Sequence, residues 1–215
     1  MRNVSIYVVG SAASGEACPT SDIDINIFIN KNTVKPRLIL KPEISILITK
    51  YPINGLIHDP LLGKPACLPT KMFTSSPRKH VLGEKIEPQL NPKCKVNTEE
   101  LIQWSLVRVL GGEYALDRED YRGVLKNYVK LVWASIAYEK QNPPPYTFKT
   151  LTQQLRNYKS TILSEKHIKK AIEACRKIYT CTTITREEAE KYLTLLSQLN
   201  REIIETLLKK TTEHT

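Results

Sequence analysis

The sequence lacks the patterns that define several large classes of protein. Its 8 glycines and 13 prolines follow no period, and 41% of its 215 residues are apolar, which excludes collagen-like, low-complexity and disordered chains. No apolar run approaches the roughly 18 residues that a membrane-spanning helix needs. The run that ends at Gly10 is too short for a signal-peptide core. We therefore expect a cytoplasmic protein with no membrane partner.

Metal-binding and redox patterns are also missing. The five cysteines are scattered without Cys-x-x-Cys spacing, which predicts reduced thiols instead of a zinc site or a disulfide framework. The four histidines show no ligand spacing, and no Gly-x-x-x-x-Gly-Lys-Ser/Thr loop of a P-loop NTPase occurs.

Acidic residues are outnumbered by basic ones, 22 to 32, and the net charge is +10. Such a charge favours anionic partners: a nucleotide, a nucleic acid or a phosphorylated substrate. If RNA is the partner, we expect a basic strip with phosphate contacts, for which the candidates are Lys126, Lys130, Lys149, Arg156 and Lys159.

The apolar pattern divides the chain into two halves. Strand-like runs occupy residues 5–9, 22–29 and 43–49, with a shorter one over 80–84. Five prolines between residues 51 and 80 disfavour long helices there. The period then becomes helical. Five helices are predicted to begin near the caps Asn97, Asp117, Thr147, Ser164 and Thr185, and the first to end near Gly111-Gly112. We expect an α+β protein, with a small mixed β-sheet domain over residues 1–95 and an all-α helical bundle over 96–215.

One stretch carries the chemistry: Gly10-Ser11, then Ser21-Asp22-Ile23-Asp24. In a strand, Asp22 and Asp24 share one face, and two adjacent carboxylates repel each other unless a cation lies between them. Carboxylate oxygens suit Mg²⁺. Gly10 lets a phosphate approach the backbone, and the Ser11 hydroxyl and nearby N–H groups can donate to it. A phosphate site beside a magnesium site is what phosphoryl or nucleotidyl transfer requires.

These residues, with Gly15-Glu16, resemble the signature of the polymerase-beta-type nucleotidyltransferases, which include antibiotic adenylyltransferases and small prokaryotic MNT proteins. The resemblance is specific over residues 4–29. It implies that Gly10, Ser11 and Ser21 bind an NTP, and that Asp22 and Asp24 hold Mg²⁺ or Mn²⁺. It also implies a third carboxylate, for which Glu43 is the first candidate and Asp59 the alternative.

Antibiotic adenylyltransferases follow their catalytic domain with a helical bundle, and two more residues correspond to positions used there. Glu84 resembles their candidate base, and Lys149 their phosphate-reaching lysine. Ser14 differs from the arginine of many relatives. The interval from Asp24 to Glu43 is short for a connecting helix and predicts a hairpin.

The resemblance implies an enzyme that transfers a nucleoside monophosphate, AMP from ATP as the first expectation, to a hydroxyl with release of pyrophosphate. The acceptor stays open among a small hydroxyl compound, a protein and RNA, and so does the oligomeric state. The alternative is a nucleotide- or RNA-binding protein, or an antitoxin-type interaction protein, on the same fold.

Overall fold

The structure is a computed structural model, and it describes residues 3–19, 21–31, 33–41, 44–50, 56–59, 63–85 and 94–212. The chain forms two compact units. The first consists of Met1–Val96 with Pro145–Thr147, and the second of Asn97–Pro144 with Phe148–Thr215.

The first unit is built on a mixed five-stranded sheet. Its elements in chain order are β1 (Val4–Val9), α1 (Gly10–Ser14), β2 (Ile23–Ile29), β3 (Arg37–Lys41), β4 (Ile44–Lys50), β5 (Ile57–Asp59), β6 (Lys64–Ala66), α2 (Cys67–Ser75) and β7 (Arg78–Gly83). The sheet order is β3-β4-β2-β1-β7, and β5 pairs with β6 separately. Strand β2 pairs with β4 in parallel, while β1–β2, β1–β7 and β3–β4 are antiparallel. The predicted mixed sheet is confirmed, and an antiparallel β3–β4 pair occupies the interval in which we expected a hairpin.

One face of this sheet holds the core of the unit. Tyr7 and Phe28 project from neighbouring strands and are buried together with Ile57 and Phe73 of α2. The three aromatic rings meet edge to face, with centroids 5.2 to 6.0 Å apart. This geometry is favourable for aromatic quadrupoles, so the cluster holds α2 against the sheet.

The expectation that all the cysteines are reduced is wrong: Cys18, Cys67, Cys94 and Cys181 are disulfide-bonded. Cys67 begins α2 and Cys94 lies shortly before the second unit; they form a disulfide, with their Cα atoms 5.5 Å apart. Their separation of 27 residues is not a motif spacing, so no local pattern in the sequence indicates the contact. Cys175 is a buried free thiol.

The second unit is a bundle of five helices: α3 (Thr98–Asp117), α4 (Tyr121–Lys140), α5 (Phe148–Leu155), α6 (Glu165–Tyr179) and α7 (Arg186–Thr212). The Asn97 side chain caps α3 by accepting from Glu100 N at 2.8 Å. Thr185 and Glu188 form the reciprocal capping box at the start of α7. Trp133 is fully buried and its Nε1 donates to the Pro144 carbonyl at 3.1 Å.

Two predicted helix boundaries are wrong. Helix α3 continues through Gly111 and Gly112, where glycine allows the neighbouring helices to pack closely. A Cβ at Gly112 would lie 2.8 Å from Leu196 of α7, and a Cβ at Gly111 would lie 2.8 Å from Asn127 of α4. Asp120, and not Asp117, caps α4, since its side chain accepts from Gly123 N at 2.8 Å.

Within the described residues, no helix is both long enough and apolar enough to cross a bilayer.

Candidate active site

At the candidate site, the backbone of Gly10 packs against the side chain of Asp24. Val9, the last residue of β1, pairs with Asp24 on β2, and the chain then turns at Gly10 with a φ of +68°. A Cβ at Gly10 would lie 2.6 Å from Asp24 Oδ2. Both the positive φ and this close approach require glycine. The backbone therefore lies directly against the carboxylate.

Asp22 and Asp24 lie on the same side of the sheet at the start of β2, and a residue of β4 connects them. Ser45 pairs with Asp24 in the parallel register, and its Oγ donates to Asp22 Oδ2 at 2.6 Å. Both aspartates are half-buried. The sequence analysis missed Ser45. Its only local signal is a polar residue inside the aliphatic run of β4, and its partner depends on the long-range register of β2 and β4.

The loop between β1 and β2 is fixed by its own hydrogen bonds. The buried Ser11 accepts at its carbonyl from Glu16 N at 3.0 Å and from Ser14 Oγ at 3.1 Å. Ser21 Oγ accepts from Cys18 N at 2.9 Å, and Ser21 N donates to the Cys18 carbonyl at 2.8 Å. Gly10, Ser11 and Ser21 are thus held beside the two carboxylates in a short, bonded loop.

The side chains at this site supply part of the oxygen ligands that a divalent cation needs. Two carboxylates on one face and the Ser45 hydroxyl provide hard oxygen atoms, and glycine at position 10 lets the backbone approach Asp24 Oδ2 closely. Among the residues that the structure describes, no group of three or more His, Cys, Asp or Glu side chains could hold a metal ion. The predicted third ligand, Glu43, lies outside the described residues. The two aspartates fit as part of an Mg²⁺ site.

The rival third carboxylate, Asp59, lies elsewhere in the first unit. It is buried at the end of β5, and β5 contacts β4 through a 2.7 Å hydrogen bond from Thr49 Oγ1 to the His58 carbonyl. Thr49 is four residues beyond Ser45, about 13 Å along the strand. This position separates Asp59 from the pair formed by Asp22 and Asp24.

The predicted base, Glu84, is at the opposite end of the sheet from the two aspartates. It follows β7, is exposed, and its N–H donates to the Val4 carbonyl at 3.2 Å. Val4 begins β1 while Val9, the partner of Asp24, ends it, a separation of about 16 Å along the strand. The structure therefore does not bring Glu84 to the aspartates. Lys149 is exposed on α5 of the second unit.

A mixed sheet that presents two carboxylates beside a Gly-Ser turn, followed by a helical bundle, defines the nucleotidyltransferase class. The family model for the nucleotidyltransferase domain matches residues 2–110, and the chain belongs to this family. The predicted polymerase-beta-type superfamily is thereby confirmed, as is the fold class.

One solved structure agrees at the level of the fold. The spectinomycin adenyltransferase of Enterococcus faecialis, solved with ATP and spectinomycin, superposes with a TM-score of 0.50 at 12% identity, over 94% of this chain and 92% of that chain. A nucleotidyltransferase-like protein from Exiguobacterium sibiricum matches 89% of this chain and 72% of its own at 15% identity, but its TM-score of 0.26 is too low to compare the folds. None of the curated proteins is detectably similar in sequence.

Proposed function

We propose that the protein transfers a nucleoside monophosphate, AMP from ATP in the first instance, to an acceptor hydroxyl and releases pyrophosphate. Membership of the nucleotidyltransferase family supports nucleotidyl transfer in general. The observation that carries the proposal for this chain is the arrangement of Gly10 against Asp24, with Asp22 held beside it by Ser45.

Each of these residues has a role in the proposed reaction. Asp22 and Asp24 would hold Mg²⁺ or Mn²⁺, which when bound neutralises phosphate charge during the transfer. Ser45 positions the Asp22 carboxylate. Gly10 and Ser11 would contact the triphosphate, because the backbone at Gly10 lies against Asp24, which would hold the metal ion.

The third carboxylate is proposed to be Glu43. Ile44, its neighbour in sequence, pairs with Ile23 between the two aspartates, which supports a ligand at this end of β4. Asp59 is disfavoured by its position near Thr49, and Glu84 is left out of the proposal because it follows β7 at the other end of β1. Lys149 stays a prediction as a phosphate-binding residue.

The domain roles are part of the same proposal. Residues 1–95 would form the catalytic domain, and residues 96–215 the C-terminal helical bundle domain. Because the E. faecialis enzyme was solved with ATP and spectinomycin, ATP and small hydroxyl compounds are the first donor and acceptors to test, before RNA and protein.

The test is calorimetric titration of ATP and then of the other three NTPs, with and without Mg²⁺. Wild type should bind in a magnesium-dependent manner, and Asp22→Asn/Asp24→Asn should not, since an amide removes the charge at nearly constant shape. Asp117→Asn, an exposed carboxylate change in the second unit, is the control and should bind like wild type.

Turnover is measured next as transfer of α-labelled nucleotide to a panel of acceptors. Absence of NTP binding by folded wild type, or equal binding by the double variant, would contradict the proposed enzyme and favour the non-catalytic alternative.

A further inference from the structure

The second face of the five-stranded sheet is aliphatic across its whole width. Strand alternation places it opposite to the Tyr7–Phe28 core, and the pairing registers align its residues in rows. One row runs across β3, β4, β2, β1 and β7 through Ile39, Ile46, Ile25, Val8 and Lys79. The next runs through Arg37, Ile48, Ile27, Ile6 and Leu82. We call the residues of these two rows, with Lys41, Ile44 and Ile23 beside them, the open face.

The two faces differ in burial at the central strands, although Leu38 and Leu40 of β3 are exposed on the core face as well. On the core face, Tyr7 and Phe28 are 1% and 0% exposed. On the open face none of the aliphatic side chains is buried, and Ile23 and Leu82 reach 47% and 46%. A contiguous apolar surface of this kind marks an interaction site, because leaving it in water forfeits hydrophobic stabilisation.

The charged residues that the described strands place on the open face are basic, while the exposed Glu84 directly follows β7. Arg37 and Lys41 flank it on β3 and Lys79 flanks it on β7, and all three are exposed. Among the described strand residues, no Asp or Glu points to this face. A partner is therefore expected to combine an apolar centre with acidic edges.

This charge pattern argues against two other occupants. A second copy placed face to face would bring basic edges against basic edges, which costs association free energy. A lipid surface would suit the positive charge, but membrane-bound surfaces favour Trp, Tyr and Phe at the interface, and the rows of the open face contain no aromatic residue.

We propose that the open face binds an amphipathic helix of another protein, one with an aliphatic stripe and acidic flanks. The axes of β3 and β7 are about 19 Å apart across four strand spacings. A helix is about 10 Å in diameter, so its apolar stripe would rest on the isoleucines of the middle strands while its flanks reach Arg37, Lys41 and Lys79.

The test uses a labelled synthetic helix of about 18 residues with a leucine stripe and glutamate flanks. A second peptide carries the same stripe with lysine flanks. Fluorescence anisotropy on the full chain should show the acidic peptide binding at least about tenfold more tightly, and this preference should shrink with added salt. Equal binding of the two peptides, or no binding of either, would overturn the proposal.

Two variants locate the binding, one that changes β3 and β4 together and one that changes β3 alone. Ile39→Thr combined with Ile46→Thr keeps β-branched residues in the strands and makes the centre of the open face polar, and it should weaken the acidic peptide about tenfold or more. Leu38→Thr is the matched control: it lies on the same strand, points to the other face and is 38% exposed. Equal effects of the double variant and the control would contradict binding at the open face.

A charge variant keeps the test informative if the polar variant folds poorly. Arg37→Gln/Lys41→Gln changes only exposed side chains and should reduce affinity for the acidic peptide about threefold or more, with little effect on the lysine peptide. Unchanged affinity would count against the role of the basic edges.

The other occupants have their own readouts. Sedimentation with phosphatidylserine vesicles that depends on Ile39 and Ile46 would assign the face to membranes. Concentration-dependent dimerisation lost in the same variant would assign it to a second copy. Either result overturns the proposal. Asp22→Asn/Asp24→Asn should bind the peptide like wild type, so that failure of the proposed catalysis and failure of this inference are distinguishable.

Discussion

Ser45 Oγ on β4 donates a 2.6 Å hydrogen bond to Asp22 Oδ2 at the start of β2, and Ser45 also pairs with Asp24. One hydroxyl thus lies beside both carboxylates of the candidate site. A hydrogen bond to a charged group contributes about 1.5–3 kcal/mol, enough to hold Asp22 in a single orientation. In the proposed reaction, that orientation determines how a cation and the nucleotide phosphates would be placed.

Ser45→Ala is therefore expected to lower kcat/KM about 10- to 100-fold, because Asp22 loses the group that orients it. Ser45→Thr keeps the hydroxyl in a side chain that strands accept, and should stay within about threefold of wild type. The measurement is pyrophosphate release across a series of Mg²⁺ concentrations, and the alanine variant should need more Mg²⁺ for half-maximal rate. Identical profiles for the two variants would refute a positioning role for the hydroxyl.

Two glycines separate the effect of backbone strain from that of a clash with the site. Gly10 and Gly15 have φ values of +68° and +77°, so alanine is strained at both positions, by about 1–2 kcal/mol. Only at Gly10 would the new Cβ meet a neighbour, Asp24 Oδ2 at 2.6 Å; at Gly15 nothing lies within 4 Å.

We expect Gly10→Ala to abolish magnesium-dependent nucleotide binding, while Gly15→Ala loses a similar amount of stability and keeps binding. Thermal unfolding and calorimetry of the same samples test this. Equal loss of binding in both variants would mean that the loop conformation, and not the space beside Asp24, controls the site.

The sequence predicted features that depend on local pattern. Asp22 and Asp24 share a face because side chains alternate along a strand, and the Thr185–Glu188 box needs only residues of its own helix turn. Features set by long-range register escaped it. The Ser45–Asp22 contact needs the parallel pairing of β2 with β4, and the distance from Glu84 to the aspartates follows from the antiparallel course of β7.

Gly111 and Gly112 of α3 are a second example of a feature that depends on long-range contacts. A glycine can end a helix or admit a neighbouring one, and the sequence alone does not distinguish the two. Gly112 serves packing because Leu196, more than eighty residues later, lies where its Cβ would be. The pairing of Cys67 with Cys94 depends in the same way on the fold that brings them together.

The Cys67–Cys94 disulfide means that these two cysteines should not react as free thiols, although the sequence contains both. In denatured, non-reduced protein, Cys67→Ser/Cys94→Ser should show the same number of reactive thiols as wild type, because the pair contributes none. Cys175→Ser should show one fewer, since Cys175 is a free thiol. A loss of two thiols in the double variant would show that the pair is reduced.

Closing a loop of this length removes conformational entropy from the unfolded chain. With a separation of 27 residues, the chain-entropy model gives about 3–4 kcal/mol, so the double variant should unfold at lower denaturant concentration. Because Cys18 and Cys181 are disulfide-bonded as well, the comparison is made with both proteins in reductant, where wild type and the double variant should unfold alike. Cys175→Ser should respond to reductant as wild type does.

Glu139, near the end of α4, accepts hydrogen bonds from the segment that precedes α6. Its carboxylate accepts from Tyr158 and Ser160 at 2.6 and 2.7 Å, and from the backbone and hydroxyl of Thr161 at 2.6 and 2.8 Å. Burial alone would raise the pKa of Glu139, but these hydrogen bonds together outweigh it and hold the pKa below its ordinary value.

Glu139→Gln should therefore destabilise the chain by about 1–2 kcal/mol at pH 7, since the group is only half-buried and the amide keeps part of the hydrogen bonding. A lowered pKa in the folded state means that the charged form contributes stability at pH values above the ordinary glutamate pKa of about 4.3. That contribution disappears as the pH falls through the lower, folded-state pKa. The gap between wild type and variant should thus be constant from pH 7 to about pH 5 and close below pH 4.

Denaturant unfolding at a series of pH values measures this gap. Glu165→Gln changes an exposed glutamate of α6 whose Oε2 lies 3.4 Å from Lys169 Nζ, and should cost less than about 0.5 kcal/mol at any pH. A gap for Glu139→Gln that persists unchanged to pH 3 would mean that the side chain stabilises the segment by packing and not by its charge.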